Sequence, residues 1–195
     1  MSDSSAIELT IEPRIRSLGE FDVRRVLPAA HRRMVGPFVF LDHMGPEEAG
    51  DIEVRPHPHI SLATVTYLFD GEVHHRDSLG NAQIIRPGQV NLMTAGRGIL
   101  HQEMPQGDAA GRMHGFQLWA NLPAALKMTT PRYQDVQAAD IPVVTEDDGT
   151  SVRIVCGEFW GQRGPVEGIA ADPRYLDLVT RGTLWACNKL NADYL

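Results

Sequence analysis

The sequence is short of cysteine, lysine and long apolar runs, and each shortage excludes a class of protein. Two cysteines in 195 residues, Cys156 and Cys187, are too few for a disulfide framework. We therefore expect free, buried thiols and a cytoplasmic location, where thiols stay reduced. No stretch approaches the roughly 20 apolar residues that a membrane-spanning helix needs. The opening residues, MSDSSAIELTIEP, lack the basic segment and the apolar core of a signal peptide.

Positive charge is also scarce. The chain has 18 Lys+Arg against 25 Asp+Glu, a formal net charge of −7, and Lys127 and Lys189 are its only lysines. A surface this acidic does not attract nucleic acid or anionic lipid over its whole extent, so we expect neither as a direct partner. The apolar share of 43% and the charged share of 22% are ordinary for a packed soluble protein and exclude a disordered chain.

Short runs of β-branched and aromatic residues recur along the chain, separated by glycine and proline. The runs predicted to be strands are residues 7–11, 38–41, 61–69, 72–76, 82–85, 90–94, 113–120 and 152–159. Few segments show a helical period between them. This spacing is typical of an all-β sandwich or barrel. The pattern weakens at residues 133–146, which we predict to be a linker.

Histidine is the residue type that stands out, because five of the eight lie between His57 and His101. His57 and His59 are separated by Pro58, and side chains at positions i and i+2 of a strand point to the same face. Proline cannot donate to a strand ladder, so we predict that this segment lies at a sheet edge or a strand start. A single pair of histidines at this spacing is also compatible with ordinary buried histidines.

A second pair at the same spacing, His101 and Glu103, follows the glycine-rich turn at residues 96–98. If the two pairs lie on neighbouring strands, three imidazoles and one carboxylate meet. This set suits Fe(II), Mn, Ni, Co or Cu better than structural zinc, which favours thiolates. An octahedral ion held by four side chains keeps two positions for substrate and dioxygen.

Other residues are weaker candidates for the same pocket. At most one of the adjacent His74 and His75 faces it, and Asp77 is expected to cap its own turn. His43 is a candidate for a residue that contacts the ligands without binding the ion itself, and Arg97 is a candidate for guiding an anionic substrate. For His114 and Gln117 we favour packing over a place in the pocket. The residues proposed to line the pocket are Phe40, Val65, Leu92 and Phe116, whereas Met93 and Met113 are expected in the core.

The run HPHISLATVTYLFDGEVHHRDSLGNAQIIRPGQVNLMTAGRGILHQEMP, residues 57–105, resembles the signature of the pirin family. The flanking segments GPFVFLDHMGP and MHGFQLWANLP agree, and the resemblance extends over residues 14–178. Pirins are cupin-fold, quercetinase-like proteins, so the resemblance implies an all-β chain with a cupin-type β-barrel, the double-stranded β-helix or jelly roll. The first motif of cupins in general carries a glutamate where this chain has Thr64.

The resemblance also implies a cofactor and a function. One divalent cation, Fe(2+), is expected on His57, His59, His101 and Glu103. The implied activity is that of quercetin 2,3-dioxygenase, which opens a flavonol ring with O2, and Glu103 either stays a metal ligand or acts as the catalytic acceptor of the substrate's proton. One alternative is a non-enzymatic, iron-binding regulator that acts through a protein partner. Another is a cupin that binds a sugar or an acid without redox chemistry.

The resemblance further predicts two domains. Residues 1–132 are expected to form an N-terminal metal-binding cupin domain. Residues 133–195 are expected to be the incomplete start of a second cupin barrel, because pirins resemble bicupins longer than this chain. The sequence after about residue 178 matches nothing expected of the family, so we predict a truncated or divergent tail.

Overall fold

The computed structural model describes residues 9–19, 21–48, 54–145, 147, 149 and 151–167. The chain divides into two compact units. One is Pro13–Asp140, and the other combines Met1–Glu12 with Ile141–Leu195. The domain boundary predicted after residue 132 lies within the first of these units.

A seven-stranded antiparallel sheet forms one wall of the first unit. With strands numbered in chain order, its members are β1 (Arg14–Ser17), β2 (Asp22–Leu27), β3 (Phe38–Glu48), β5 (Leu62–Asp70), β8 (Val90–Thr94), β10 (Arg112–Asn121) and β11 (Arg132–Val136). Their spatial order is β1-β2-β3-β10-β5-β8-β11. The long central pairings of β10 with β3 and with β5 therefore join segments distant in sequence.

A four-stranded antiparallel sheet forms the other wall. It contains β4 (Val54–His59), β6 (Glu72–Asp77), β7 (Ala82–Ile85) and β9 (Ile99–Gln106), in the order β4-β9-β6-β7. Within the described part of the chain β4 pairs only with β9 and so lies at the sheet edge, as Pro58 predicts. The chain passes from β5 in the first sheet to β6 in the second through a turn at Gly71, whose φ of +84° favours glycine.

Buried apolar side chains of both sheets meet between them. One cluster contains Leu68, Val73, Ile85 and Met113, and another contains Met93, Ala95 and Ile99 with Tyr133 packed against it. Full burial of a large apolar side chain stabilises a fold by about 1.5–3 kcal/mol, so these two clusters hold the sheets face to face. The prediction of an all-β, jelly-roll-type barrel is confirmed for this unit, as is the core position of Met93 and Met113.

Three predicted elements differ from the structure. The described residues 9–11 of the predicted strand 7–11 are not strand, and the first strand among the described residues begins at Arg14. Residues 133–136, predicted as linker, belong to β11, which pairs with β8. The predicted strand 152–159 is interrupted: one strand ends at Arg153 and the next begins at Glu158, directly after Gly157 with its φ of +79°.

The described part of the second unit is small. Strand β12 (Val143–Thr145) pairs with β13 (Ser151–Arg153), and β14 (Glu158–Phe159) pairs with β15 (Gln162–Arg163). Cys156 is buried, as predicted, and burial raises the pKa of its thiol to about 11. Cys187 and the predicted divergent tail lie outside the described residues. A search of the described residues finds no helix with the length and apolar character to cross a membrane.

Candidate metal centre

The ladder between β4 and β9 brings three imidazoles together inside the barrel. His57 pairs directly with His101, and His59 follows two residues later on β4. The Nε2 atom of His57 lies 3.1 Å from Nε2 of His59 and 3.0 Å from Nε2 of His101. His59 and His101 are buried, and His57 is half-buried.

These nitrogens are spaced as the ligands of one ion would be. Two nitrogens bound at about 2.1 Å and at a right angle lie about 3 Å from each other, close to the observed separations. The Nδ1–H of His57 donates to the Arg55 carbonyl oxygen at 2.9 Å, which leaves the Nε2 lone pair facing the cluster. Among the described residues, no group hydrogen-bonds the buried Nδ1 of His101. The donor set therefore fits a metal ion.

The electrostatic environment keeps the buried rings neutral. Burial and then the neighbouring His57 lower the pKa of His59 to about 4. Burial and then the surrounding imidazoles lower the pKa of His101 to about 3. At neutral pH both rings are uncharged and so have lone pairs for a cation.

Glu103 lies two residues after His101 on β9 and contacts the opposite sheet. The Thr66 hydroxyl of β5 donates to its Oε1 at 3.2 Å. Burial raises the pKa of Glu103, although Thr66 and His57 act in the other direction. Its carboxylate and ring nitrogens of His75 and His101 lie within 4.8 Å of one another, as do ring nitrogens of His57, His59 and His101. The two donor groups share His101, and the four-residue ligand set stays a prediction.

His75 and Asp77 are neighbours of this site whose role the sequence did not reveal. His75 is 1% exposed and lies 3.2 Å from Asp77, whereas the side chain of His74 is 39% exposed. Alternation along a strand predicts that only one of the two histidines points inward, but not which. The predicted turn-capping role of Asp77 is confirmed, because its Oδ1 accepts from the backbone N–H groups of Leu79 and Asn81.

An aromatic wall stands beside the imidazoles. The Trp119 ring meets His59 edge-on at 4.9 Å and stacks on Phe40 at 4.1 Å. The Arg25 guanidinium lies 4.5 Å from the centre of the Phe40 ring and forms two hydrogen bonds of 2.7 and 2.8 Å with Asp42. Phe40 thus contacts Trp119, which in turn contacts His59 of the histidine cluster.

Three of the predicted lining residues lie on the other face of the seven-stranded sheet. Val65 pairs with Leu92 and with Leu118, and Phe116 pairs with Tyr67, so these side chains alternate with Thr66 and Trp119. The prediction that Val65, Leu92 and Phe116 line the pocket is therefore wrong, because the pairing register of their strands places these side chains on the face opposite to the site.

The remaining weak candidates divide between the two faces. His43 and His114 contact each other at 2.9 Å between their Nε2 atoms, and the His43 ring contacts Phe116. They belong with Phe116 on the outer face. Gln117 accepts from the Thr66 hydroxyl at 2.8 Å and so lies next to the site. Arg97 is exposed in the turn before β9, and its role stays a prediction.

Comparison with known proteins agrees with this architecture. The family model described as pirin matches residues 20–120. A pirin-like protein of Caulobacter vibrioides is 45% identical over 168 residues, which are 82% of this chain and 58% of that protein. The chain spans about half the length of the curated relatives that it matches.

Two solved structures extend the comparison. A crystal structure of quercetin 2,3-dioxygenase from Acinetobacter baumannii aligns with a TM-score of 0.72 and 39% identity, covering 80% of this chain and 52% of that one. The Escherichia coli pirin YhhW, solved in complex with nickel(II), aligns with a TM-score of 0.56 and 26% identity, covering 70% and 60%.

Fold and site together define a cupin-type barrel with an internal histidine cluster that fits a metal ion. Because the family model covers more than half of the sequence, the chain belongs to the pirin family.

Proposed function

We propose that this protein is a metal-dependent dioxygenase that opens the ring of a flavonol-like substrate with O2, and that its ion is Fe(2+). The observation that carries the proposal is the group of three Nε2 atoms separated by 3.0 and 3.1 Å inside the barrel. Two comparisons support it. The Acinetobacter baumannii structure is titled a quercetin 2,3-dioxygenase, and the Escherichia coli pirin is a nickel(II) complex.

The residues that would hold the ion are His57, His59 and His101, with Glu103 as the fourth ligand. When bound, a divalent ion of this kind would act as a Lewis acid that lowers the pKa of a coordinated hydroxyl and would supply the metal chemistry that dioxygen needs. The imidazoles of His59 and His101 contribute no charge of their own, because burial keeps these two rings neutral. The carboxylate of Glu103 is then the local anion that offsets part of the charge of the ion.

Glu103 is the proposed acceptor of the substrate's 3-hydroxyl proton. Burial raises the pKa of this carboxyl, so it accepts a proton more readily than a solvated glutamate does. The Thr66 hydroxyl, which Glu103 shares with Gln117, lies 3.2 Å from the carboxylate, and a proton acceptor must be held within reach of its donor. Phe40 and Trp119 supply an apolar wall for a planar ring and exclude water from that side.

The test is loss of flavonol absorbance with protein that has been stripped of metal and reloaded with Fe(II). We expect no turnover of quercetin without oxygen, an immediate start on admission of air, and loss of at least 100-fold in rate for His101→Ala. His114→Ala is the matched control, because His114 lies on the outer face of the sheet. Turnover by His101→Ala in the presence of a chelator would refute the proposal. A blank assay with fully loaded wild-type protein would also refute it and would favour the regulator predicted as the alternative.

A further inference from the structure

A buried histidine–aspartate pair lies behind the candidate metal centre and has no part in the mechanism above. His75 and Asp77 are both on β6, two residues apart, so their side chains share the inner face. Their side chains are 1% and 0% exposed, and His75 Nε2 lies 3.2 Å from Asp77 Oδ2. A buried pair of this kind is costly to desolvate, which makes its position next to the donor cluster informative.

The turn after β6 fixes Asp77 from several directions. Oδ1 accepts the backbone N–H groups of Leu79 and Asn81 at 2.9 and 3.1 Å, and Oδ2 accepts the Asn81 side-chain amide at 2.8 Å. With both oxygens occupied as acceptors, the hydrogen between Asp77 and His75 belongs to His75 Nε2. In the neutral ring, Nδ1 of His75 is then an acceptor.

Strand register aims this ring at the proposed ligands. His75 pairs directly with Glu103, and Asp77 pairs with His101. A ring nitrogen of His75 lies within 4.8 Å of both a Glu103 carboxylate oxygen and a His101 ring nitrogen. On its other side, His75 stacks on Tyr133 with ring centroids 4.5 Å apart. The ring is therefore held between β11 and the two residues.

We propose that His75, fixed by Asp77, is a positioning residue whose acceptor Nδ1 favours a hydrogen on the buried Nδ1 of His101, so that the lone pair of His101 stays on Nε2 and is available to the cation. The inference rests on the proposed function only in assuming that a cation binds at the histidine cluster. It does not depend on a flavonol substrate. Hydrogen-bonded groups behind metal ligands set ring orientation and donor strength, and their removal typically weakens metal affinity or activity 10–100-fold.

The test is titration of the metal-free full chain with Co(II), followed by its visible absorption bands. Asp77→Asn keeps the size of the side chain but presents an amide donor to His75, which forces the opposite tautomer. We expect its Co(II) dissociation constant to rise about 10–100-fold with altered bands. The milder Asn81→Ala, which removes one donor to Asp77, is expected to shift both in the same direction and provides the test if Asp77→Asn does not fold. His74→Gln is the control for a neighbour with an exposed side chain, and we expect wild-type binding.

The inference is overturned if Asp77→Asn or Asn81→Ala loses thermal stability while Co(II) affinity and absorption bands stay as in wild type, because the pair would then be structural only. The outcome is separate from that of the dioxygenase assay. If Co(II) affinity falls as expected but quercetin is not consumed, the positioning role stands and the proposed activity fails.

Discussion

Thr66 is the residue through which the seven-stranded sheet contacts Glu103. Its side chain is 2% exposed, and its hydroxyl lies 3.2 Å from Glu103 Oε1 and 2.8 Å from Gln117 Oε1. A hydroxyl carries one hydrogen, so it serves one of these acceptors as donor at any time. The orientation of the Glu103 carboxylate is therefore linked to that of Gln117.

Replacing this hydroxyl by a methyl group tests its contribution to stability. For Thr66→Val we expect the free energy of unfolding to fall by about 1–3 kcal/mol, because a partly buried carboxylate loses a donor. Urea denaturation of the metal-free protein measures the loss. Thr64→Val is the matched control, since Thr64 is equally buried on the same strand and face. Equal losses for the two variants would contradict the assigned role of the Thr66 hydroxyl.

The sequence predicted the convergence of His57, His59 and His101, because spacing on a strand fixes the face on which neighbours appear. It did not predict which of His74 and His75 points inward. It also misplaced Val65 and Phe116, because the face of a strand that meets the core depends on its pairing register. Register is set by contacts between segments distant in the chain, which a local pattern does not contain.

The turn before β9 controls the direction of the strand that carries His101 and Glu103. Gly96 has a φ of +50°, and a Cβ there would collide with the backbone carbonyl of Thr129. Gly98, in the same turn, has a φ of +134°, and a Cβ there would meet nothing within 4 Å. Both glycines permit a positive φ, but only Gly96 of the two also permits the close approach of the Thr129 carbonyl group.

We therefore expect Gly96→Ala to be the more damaging of two matched substitutions. Gly98→Ala adds backbone strain, of order 1–3 kcal/mol for a residue in such a region. Gly96→Ala adds comparable strain and also a steric clash that must displace β9 or the segment at Thr129, about 2 kcal/mol more. Denaturant unfolding of both variants gives the difference. If the two losses match, the close approach at Gly96 has no energetic consequence.

Strands bounded by glycine and proline were easier to predict than the others. Residues 82–85 and 90–94 match β7 and β8 at both ends, because Pro87-Gly88 and the Gly96 turn limit them. The sequence analysis missed β1 and β11, which are the two edges of the seven-stranded sheet, and also β2, which lies next to β1. All residues of β1 are exposed, so an edge of this kind lacks the apolar alternation that identifies a strand.

At the scale of the whole molecule, the donor cluster links segments that are separate in the unfolded chain. His57 and His59 come from β4 and His101 from β9, and Glu103 contacts Thr66 of the opposite sheet. An unfolded chain does not hold these groups together, so a bound ion favours the native state. Metal binding and stability are then coupled by mass action.

We expect the unfolding transition to depend on free metal concentration. At 100 times the dissociation constant, the ion adds about 2.7 kcal/mol to the free energy of unfolding. For a domain of this size that raises the melting temperature by roughly 5–15 °C. Thermal unfolding with added Fe(II) under anaerobic conditions, compared with chelator, measures the shift. His101→Ala should abolish it, and an unchanged melting temperature in wild-type protein would count against a native-state ion.

Strand β4 provides two of the clustered imidazoles although, among the described strands, it is bonded only to β9. Pro56 and Pro58 remove two backbone donors from that strand. Fraying of an edge strand breaks fewer hydrogen bonds than opening the sheet at its centre. We therefore expect the ion to enter and exchange by local breathing of β4, so that metallation follows folding and an incorrect ion is replaced without global unfolding.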